Sequence, residues 1–194
     1  MAGKIYTRRG DQGQTRLATG ERVAKHSDRV AAYGMLYELN SFLGHARAQL
    51  KIDRPDPTPD LWNHLEISLK ELQHRLFRVG GDLSRNPQQP KPVATLPEHT
   101  EALERLIDQL RDASPPWRPF TLPEGTLAAT DLYICTTVCR RAEREILRLN
   151  HKEPVPKPVL TFINRLSDAF FASARYVNFA CGISEEPTRE PEGY

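Results

Sequence analysis

An all-α bundle of about five helices is the architecture this sequence predicts, and three observations predict it. The 16 prolines fall in five clusters, at 55–59, 87–97, 115–123, 154–158 and 187–191. The stretches before and between these clusters repeat their apolar residues in alternating steps of three and four. No stretch alternates apolar and polar residues as a half-buried strand would. Proline removes a backbone donor and clashes inside a helix, so the clusters read as connections and the intervening stretches as helices. A stripe at three-four spacing gives each helix one apolar face to bury against its neighbours.

The elements follow in chain order. Residues 1–27 stand apart, with Gly10, Gly13 and Gly20 set among Thr7, Asp11 and Thr15 and little periodicity, and they read as a non-helical segment. The first helix carries Ala32, Leu36, Leu39, Leu43, Ala46 and Leu50 as its stripe. Arg29, Tyr33, Tyr37 and Asn40 share a second face beside Glu38 and Ser41, which reads as a packing face with a polar fringe. Thr58-Pro59 predicts the start of the second helix, a capping hydroxyl followed by proline at the first helical position. Its stripe runs Leu65, Leu69, Leu72, Leu76, Val79, Leu83. A shorter third stripe has Leu103, then Leu106 or Ile107, then Leu110. Cys135, Val138, Ala142, Ile146 and Leu149 form the fourth, and Ile163, Leu166, Phe170, Ser173 and Val177 the fifth. Residues 1–182 therefore read as one domain. Residues 183–194, polar with two prolines, read as a disordered tail.

Composition narrows the function classes. A chain of 194 residues can bury a core without disulfide or metal staples. With 27 basic and 25 acidic side chains the net charge is +2, which gives no reason to expect a nucleic-acid partner. No run of about 18 apolar residues is present to span a membrane. The first residues have no apolar export signal, so a cytoplasmic protein is expected. The three cysteines include no Cys-x-x-Cys pair and read as buried or half-buried thiols, and no metal site is expected.

Five constellations could carry chemistry. In Thr7-Arg-Arg-Gly10-Asp11-Gln-Gly13-Gln-Thr15, followed by Lys25, glycines permit the close backbone approach that wraps a phosphate, while hydroxyls and lysine add donors and charge. It is no Walker loop, and a flexible tail with turns would look the same. Arg140-Arg141-Ala142-Glu143-Arg144 places two arginines one turn apart, which repel unless an anion bridges them, and spaces Arg141 to pair with Glu145. A solvated charged face is the plainer reading. Asn164, Ser167, Asp168, Phe171 and Arg175 share a face away from the fifth stripe, solvated or packed on a partner. The fourth is the Arg29–Asn40 face described above. The fifth is the loop from Trp117 to Thr126, whose Phe120 either walls a ligand pocket or plugs the end of the bundle.

The order of these motifs is more telling than any one of them. Lys4-Ile-Tyr-Thr-x-x-Gly10-Asp-x-Gly13-x-Thr15 leads to Val23-x-Lys25-x-x-x-Arg29 and Tyr33-Gly34-x-x-x-Glu38-Leu-Asn40-Ser41. Then come Leu76-Phe77-x-x-Gly80-x-Asp82-Leu83, Phe120-x-Leu-Pro123-x-Gly125-Thr126, Arg140-Arg141-Ala-Glu143-Arg144 and Asn164-Arg165-Leu-Ser167-Asp168. From about residue 4 to 180 the chain resembles the ATP:cob(I)alamin adenosyltransferases of the propanediol-utilisation type. The resemblance implies a homotrimer of five-helix bundles with ATP, accompanied by Mg²⁺, bound between subunits. It implies transfer of the 5′-deoxyadenosyl group to reduced cobalamin with release of triphosphate. A flavin reductase and a cobalamin-dependent enzyme are the protein partners it suggests. Thr7, Gly10, Asp11, Gly13, Thr15 and Lys25 would surround the nucleotide, Arg140, Glu143 and Asn164 would meet it from the helices, and Phe120 would face the corrin.

Three positions depart from the family pattern. Tyr37 stands where an aspartate is usual, Thr136 where an arginine is usual, and Glu124 replaces a glycine of the corrin loop. The resemblance pairs that aspartate and arginine across the subunit contact. Two readings follow: an active adenosyltransferase with a rebuilt interface, or a non-catalytic relative that binds nucleotide or corrinoid as carrier or regulator.

Overall fold

The computed structural model describes residues 4–86, 92–116 and 121–188. Five helices make up the bundle: α1 (Asp28–Ile52), α2 (Asp60–Leu83), α3 (Pro97–Asp112), α4 (Leu127–Lys152) and α5 (Lys157–Ala180). The proline clusters fall in the connections, and Pro97 and Pro158 sit in the first turns of α3 and α5. There the missing N–H would have had no helical partner in any case.

α1 is the central helix, packed on both α2 and α4; α4 packs on α5, and α5 on α3. The expected stripes form one continuous core, with Trp62, Phe162 and Phe170 its largest fully buried side chains. On α3 it is Leu106 that is buried, with Ile107 at the margin. Cys135 and Cys139 are buried and Cys181 half-buried. Burial pushes the two buried thiols far up from their ordinary range.

Polar clasps fix the ends of the helices. The Arg29 guanidinium is buried and donates to the Leu83 carbonyl at 2.6 Å and to Glu153 Oε2 at 2.5 Å. It thereby ties the start of α1 to the ends of α2 and α4. Lys152 reaches Asp28 at 2.6 Å beside it. The Asp82 carboxylate accepts from the Ala94 and Thr95 amides at 3.0 and 2.9 Å and from the Thr95 hydroxyl at 2.8 Å.

Four features differ from the sequence expectation. Residues 14–24 contain an antiparallel hairpin, β1 (Gln14–Arg16) with β2 (Arg22–Ala24), whose three-residue strands are too short to show an alternation. It is docked rather than loose: Leu17 is buried, Ala18 N donates to the Ser84 carbonyl at 3.0 Å, and Asn86 N to the Thr19 hydroxyl at 3.1 Å. α2 starts one residue late, with Pro59 at the cap. The Thr58 hydroxyl instead donates to the Pro55 carbonyl at 2.8 Å and accepts from Arg54 at 3.0 Å, which organises the loop. The polar stripe of α5 is split, because Ser167 and Arg175 are buried while Asn164 and Asp168 are exposed. Residues 183–188, assigned to a tail by composition, fold back on the loop before α4. Leu122 N donates to the Glu186 carbonyl at 2.9 Å, and Thr121 bridges Pro187. Residues 189–194 lie outside the described residues. Among the described residues no helix is long and apolar enough to cross a membrane.

Candidate active site

The glycine-rich segment folds into a cationic cup. Gly13 has φ +77°, a conformation that side chains disfavour, and this turns the chain so that Lys25 N can donate to the Gly13 carbonyl at 2.8 Å. The hairpin then brings the Lys25 side chain over Gly10, where a methyl group would lie 3.1 Å from its Nζ. The open pocket so formed has a volume of about 640 Å³. Thr7, Gly10, Thr15 and Lys25, all named from sequence, line it. Asp11 and Gly13 lie in the turn that shapes it and do not line it.

Sequence reasoning missed four members of this wall, Gln14 and three arginines. Arg9, Arg16 and Arg22 line the same pocket, and no carboxylate does. Arg16 and Arg22 are directly opposite across the hairpin register, a like-charge pair that repels unless an anion lies between them. The signal was the hairpin itself, which three-residue strands do not advertise. Arg8, between the lining residues Thr7 and Arg9 in sequence, has φ +59°, a left-handed conformation in a non-glycine residue.

Arg140, Glu143 and Asn164 form a second group, on α4 and α5. Asn164 Nδ2 donates to Glu143 Oε1 at 2.9 Å, and Arg140 is exposed on the turn before Glu143. That bond uses one Glu143 oxygen and leaves the other, with the Asn164 Oδ1, chemically able to accept from hydroxyl or amino donors. None of these three residues lines the glycine-loop pocket. The α4 end near the hairpin is Lys152, which pairs with Asp28. Arg140 lies three turns before it, about 18 Å of helical rise away. The spacing that suggested an Arg141–Glu145 pair is overridden by packing. Arg141 instead meets Glu38 across the α1–α4 contact, and Glu145 takes Arg148 at 3.0 Å.

Phe120 lies outside the described residues. The following turn is defined: Asn178, on α5, spans Gly125, accepting from Thr126 N at 3.0 Å and donating to the Glu124 carbonyl at 2.7 Å. Thr126 also caps α4 through Ala129 N. Close by, burial, reinforced by Glu185, pushes the Tyr133 phenol up to about 12, so it remains protonated. Tyr37 is 44 % exposed, with its ring against Tyr33 at 5.9 Å and Phe77 at 6.0 Å. The Thr136 hydroxyl is bonded back to the Leu132 carbonyl at 3.0 Å. Among the described residues no group of three or more His, Cys, Asp or Glu is placed to hold a metal.

Comparison with known proteins gives the same answer along the whole chain. Residues 5–177 match the family model for cobalamin adenosyltransferase. A corrinoid adenosyltransferase of Bacillus subtilis (strain 168) is 41 % identical over 182 residues, covering 94 % of this chain and 90 % of that protein. The corrinoid adenosyltransferase PduO of Citrobacter freundii is 38 % identical over 173 residues, 88 % of this chain and 49 % of that longer protein. A variant PduO-type ATP:corrinoid adenosyltransferase from Lactobacillus reuteri, solved in complex with cobalamin and ATP, superposes with a TM-score of 0.85. It is 36 % identical, and the match covers 96 % of this chain and all of that one. A cationic glycine cup, a polar pair on α4 and α5, a bundle of this topology and matching sequence over nearly its full length place this chain in the cobalamin adenosyltransferase family.

Proposed function

We propose that this protein transfers the 5′-deoxyadenosyl group of ATP to cob(I)alamin, forming adenosylcobalamin and free triphosphate. The observation that carries the reading is the pocket of Thr7, Gly10, Thr15 and Lys25. Its further lining includes Arg9, Arg16 and Arg22, and no carboxylate. Four cations facing one pocket match a polyanion, and the leaving group of this reaction is a triphosphate.

The chemistry asks little of the protein as acid or base. Cob(I)alamin is itself the nucleophile: a cobalt–carbon bond forms at C5′, the C5′–oxygen bond breaks, and the bonding pair leaves with the triphosphate. The protein must align cobalt with C5′ and spread the leaving charge. In this reading backbone amides of the glycine loop, the hydroxyls of Thr7 and Thr15, Lys25 and the three arginines take the phosphates. Asp11 and Gly13 hold the loop in shape. Arg140 meets the nucleotide from a helix, and the Glu143–Asn164 pair offers acceptors to the ribose hydroxyls or the adenine amino group. Mg²⁺ accompanying ATP would be held chiefly through the phosphates, since among the described residues no group of three or more His, Cys, Asp or Glu is placed to cage it. The family resemblance assigns Phe120 to the corrin side, where an apolar ring would keep a lower ligand from cobalt and ease its reduction.

The distance along α4 between Arg140 and the hairpin end of the bundle supports a site completed by a second copy. In a homotrimer the glycine cup of one subunit would face α4 and α5 of the next. A reductase that delivers electrons to cobalt is the partner this chemistry requires, and a cobalamin-dependent enzyme its natural recipient. The test is a single spectrum. Protein, Mg-ATP and chemically reduced cobalamin should convert the cob(I)alamin absorbance into that of an alkyl-cobalt. Tight nucleotide binding with no conversion would leave the carrier or regulator reading in its place.

A further inference from the structure

The bundle is not closed on every side. α3 packs on α5 and barely meets α2. Between α2 and α3 this leaves an open groove of about 330 Å³, a volume in the range of small-molecule sites. Leu72, Leu103, Leu106 and Phe162 form its apolar floor, and Ile67, 64 % exposed, stands at its lip. Neither the glycine cup nor Arg140, Glu143 and Asn164 contribute to its lining.

Arg75 and His99 line the same groove and have donors to spare. Arg75 is half-buried, and its one hydrogen bond among the described residues is a long contact to the Ala94 carbonyl at 3.5 Å. Burial, with Arg78 nearby, pulls its guanidinium below the ordinary range, yet an arginine stays charged at neutral pH. Asp82, whose charge also reaches it, accepts from the Ala94 and Thr95 amides and lies 3.7 Å from Arg85. Glu71, one turn back on α2, lines the groove but is exposed. His99 Nδ1 accepts from the Leu96 amide at 2.9 Å, so the proton of the neutral ring sits on Nε2. Burial, then the charge of Arg75, keeps that ring neutral at pH 7 by lowering its pKa. A partly desolvated cation and a neutral N–H donor thus stand together beside an apolar floor, without an acceptor that matches them.

We propose that this groove binds a small amphipathic carboxylate, its chain or ring on Leu72, Leu103, Leu106 and Phe162 and its carboxylate on Arg75 and the Nε2–H of His99. The planar guanidinium suits a carboxylate, which it can hold through two parallel bonds. One unpaired cation matches one negative charge. A more highly charged phosphate would find little further help, because Glu71 is on the wall and Arg105 already has Glu101 at 3.9 Å. The site is independent of adenosyl transfer and stands whether or not that reaction is confirmed.

Octanoate is the probe, titrated calorimetrically into the full-length protein, with 1-octanol and octyltrimethylammonium as controls of the same chain length. Octanoate should bind once per chain with a Kd of about 1 mM or tighter. The controls should bind at least about tenfold more weakly. Octanoate should also slow amide exchange in the first turns of α3 and leave the β1–β2 hairpin unchanged. Arg75→Gln should weaken octanoate by about ten- to a hundredfold. Ala102→Phe puts a ring into the groove from an exposed position. It should abolish binding with a thermal midpoint within a few degrees of the wild type, and it decides the matter if Arg75→Gln folds poorly. Lys25→Ala, in the glycine cup, should bind octanoate as the wild type does. Absence of binding at millimolar octanoate would overturn the site, as would full binding to Ala102→Phe. Weaker binding to Lys25→Ala would move octanoate to the cup and overturn it too. Equal or tighter binding of either control, or wild-type affinity in a folded Arg75→Gln, would overturn the carboxylate assignment and leave an unselective apolar groove.

Discussion

Lys25 and Arg140 are both exposed, and neither has a carboxylate partner within ion-pair distance among the described residues. The fold has no evident use for them, which separates their contribution to stability from their contribution to ATP. Each is expected to give a charge-assisted contact to the nucleotide, about 1.5–3 kcal/mol. Lys25→Ala and Arg140→Ala should therefore each lower kcat/KM for ATP by about ten- to a hundredfold, with a thermal midpoint within a few degrees of the wild type. A variant that unfolds early while its folded fraction turns over normally would take that residue out of the site. The two stand at different depths of legibility. Lys25 is visible in sequence because it follows a glycine loop at short range. Arg16 and Arg22 are not visible, because only the hairpin register puts them opposite one another. Arg29 shows the converse: it reads as a fringe residue on a helix face, yet its neighbours 124 and 54 residues away make it a buried clasp.

Helices were the most legible level, for a physical reason. Proline acts locally on the backbone, and a stripe at three-four spacing states which face is buried, so neither needs a distant partner to be read. Element ends were less legible, because what holds them is tertiary. Thr58 has the chemistry of a cap but is drawn into the Pro55 turn, and residues 183–188 look like a solvated tail until Glu185 finds Arg175. Asp82 shows how much such an end contact carries. Its side chain is 1 % exposed, and it accepts three hydrogen bonds from the chain just before α3, with Arg85 at 3.7 Å. Asp82→Ala would strand the buried amide and hydroxyl of Thr95 and the half-buried amide of Ala94, at a cost of about 3 kcal/mol. The measured loss should concentrate at the α2–α3 connection, seen as faster amide exchange at Ala94 and Thr95 with α4 and α5 unaffected. Asp82→Asn, which keeps an acceptor, should recover part of it. Unchanged exchange at both amides would show that the contact does not order this connection.

At the scale of the whole molecule, the homotrimer proposed above turns on Tyr37 and Thr136. The family resemblance places these two positions opposite each other between subunits, as an acid and an arginine. Within one chain they do not meet: Glu38 faces Arg141 across the α1–α4 contact, while His45 faces Asp131, which puts Thr136 between those two levels, more than a turn from Tyr37. Tyr37 is instead half-exposed at the edge of an aromatic group with Tyr33 and Phe77, the latter 60 % exposed. A surface aromatic group of that kind gains by being covered, and a tyrosine can add a hydroxyl contact to area burial. A trimer sealed in this way should lose little stability between low and high salt, whereas an ion-paired interface would weaken. Tyr37→Asp should dissociate the proposed trimer, because it buries a carboxylate without a partner, and Thr136→Arg alone should do the same with the opposite charge. Together they recreate the family's pair, and sedimentation should show the trimer regained, with a coupling energy of about 1–3 kcal/mol in the double-mutant cycle. The wild type and the double variant should both make adenosylcobalamin, since the phosphate cup and the Glu143–Asn164 pair are untouched by the exchange. Additive effects of the two substitutions would mean that residues 37 and 136 do not meet across the interface, and that the aromatic group serves the single bundle instead.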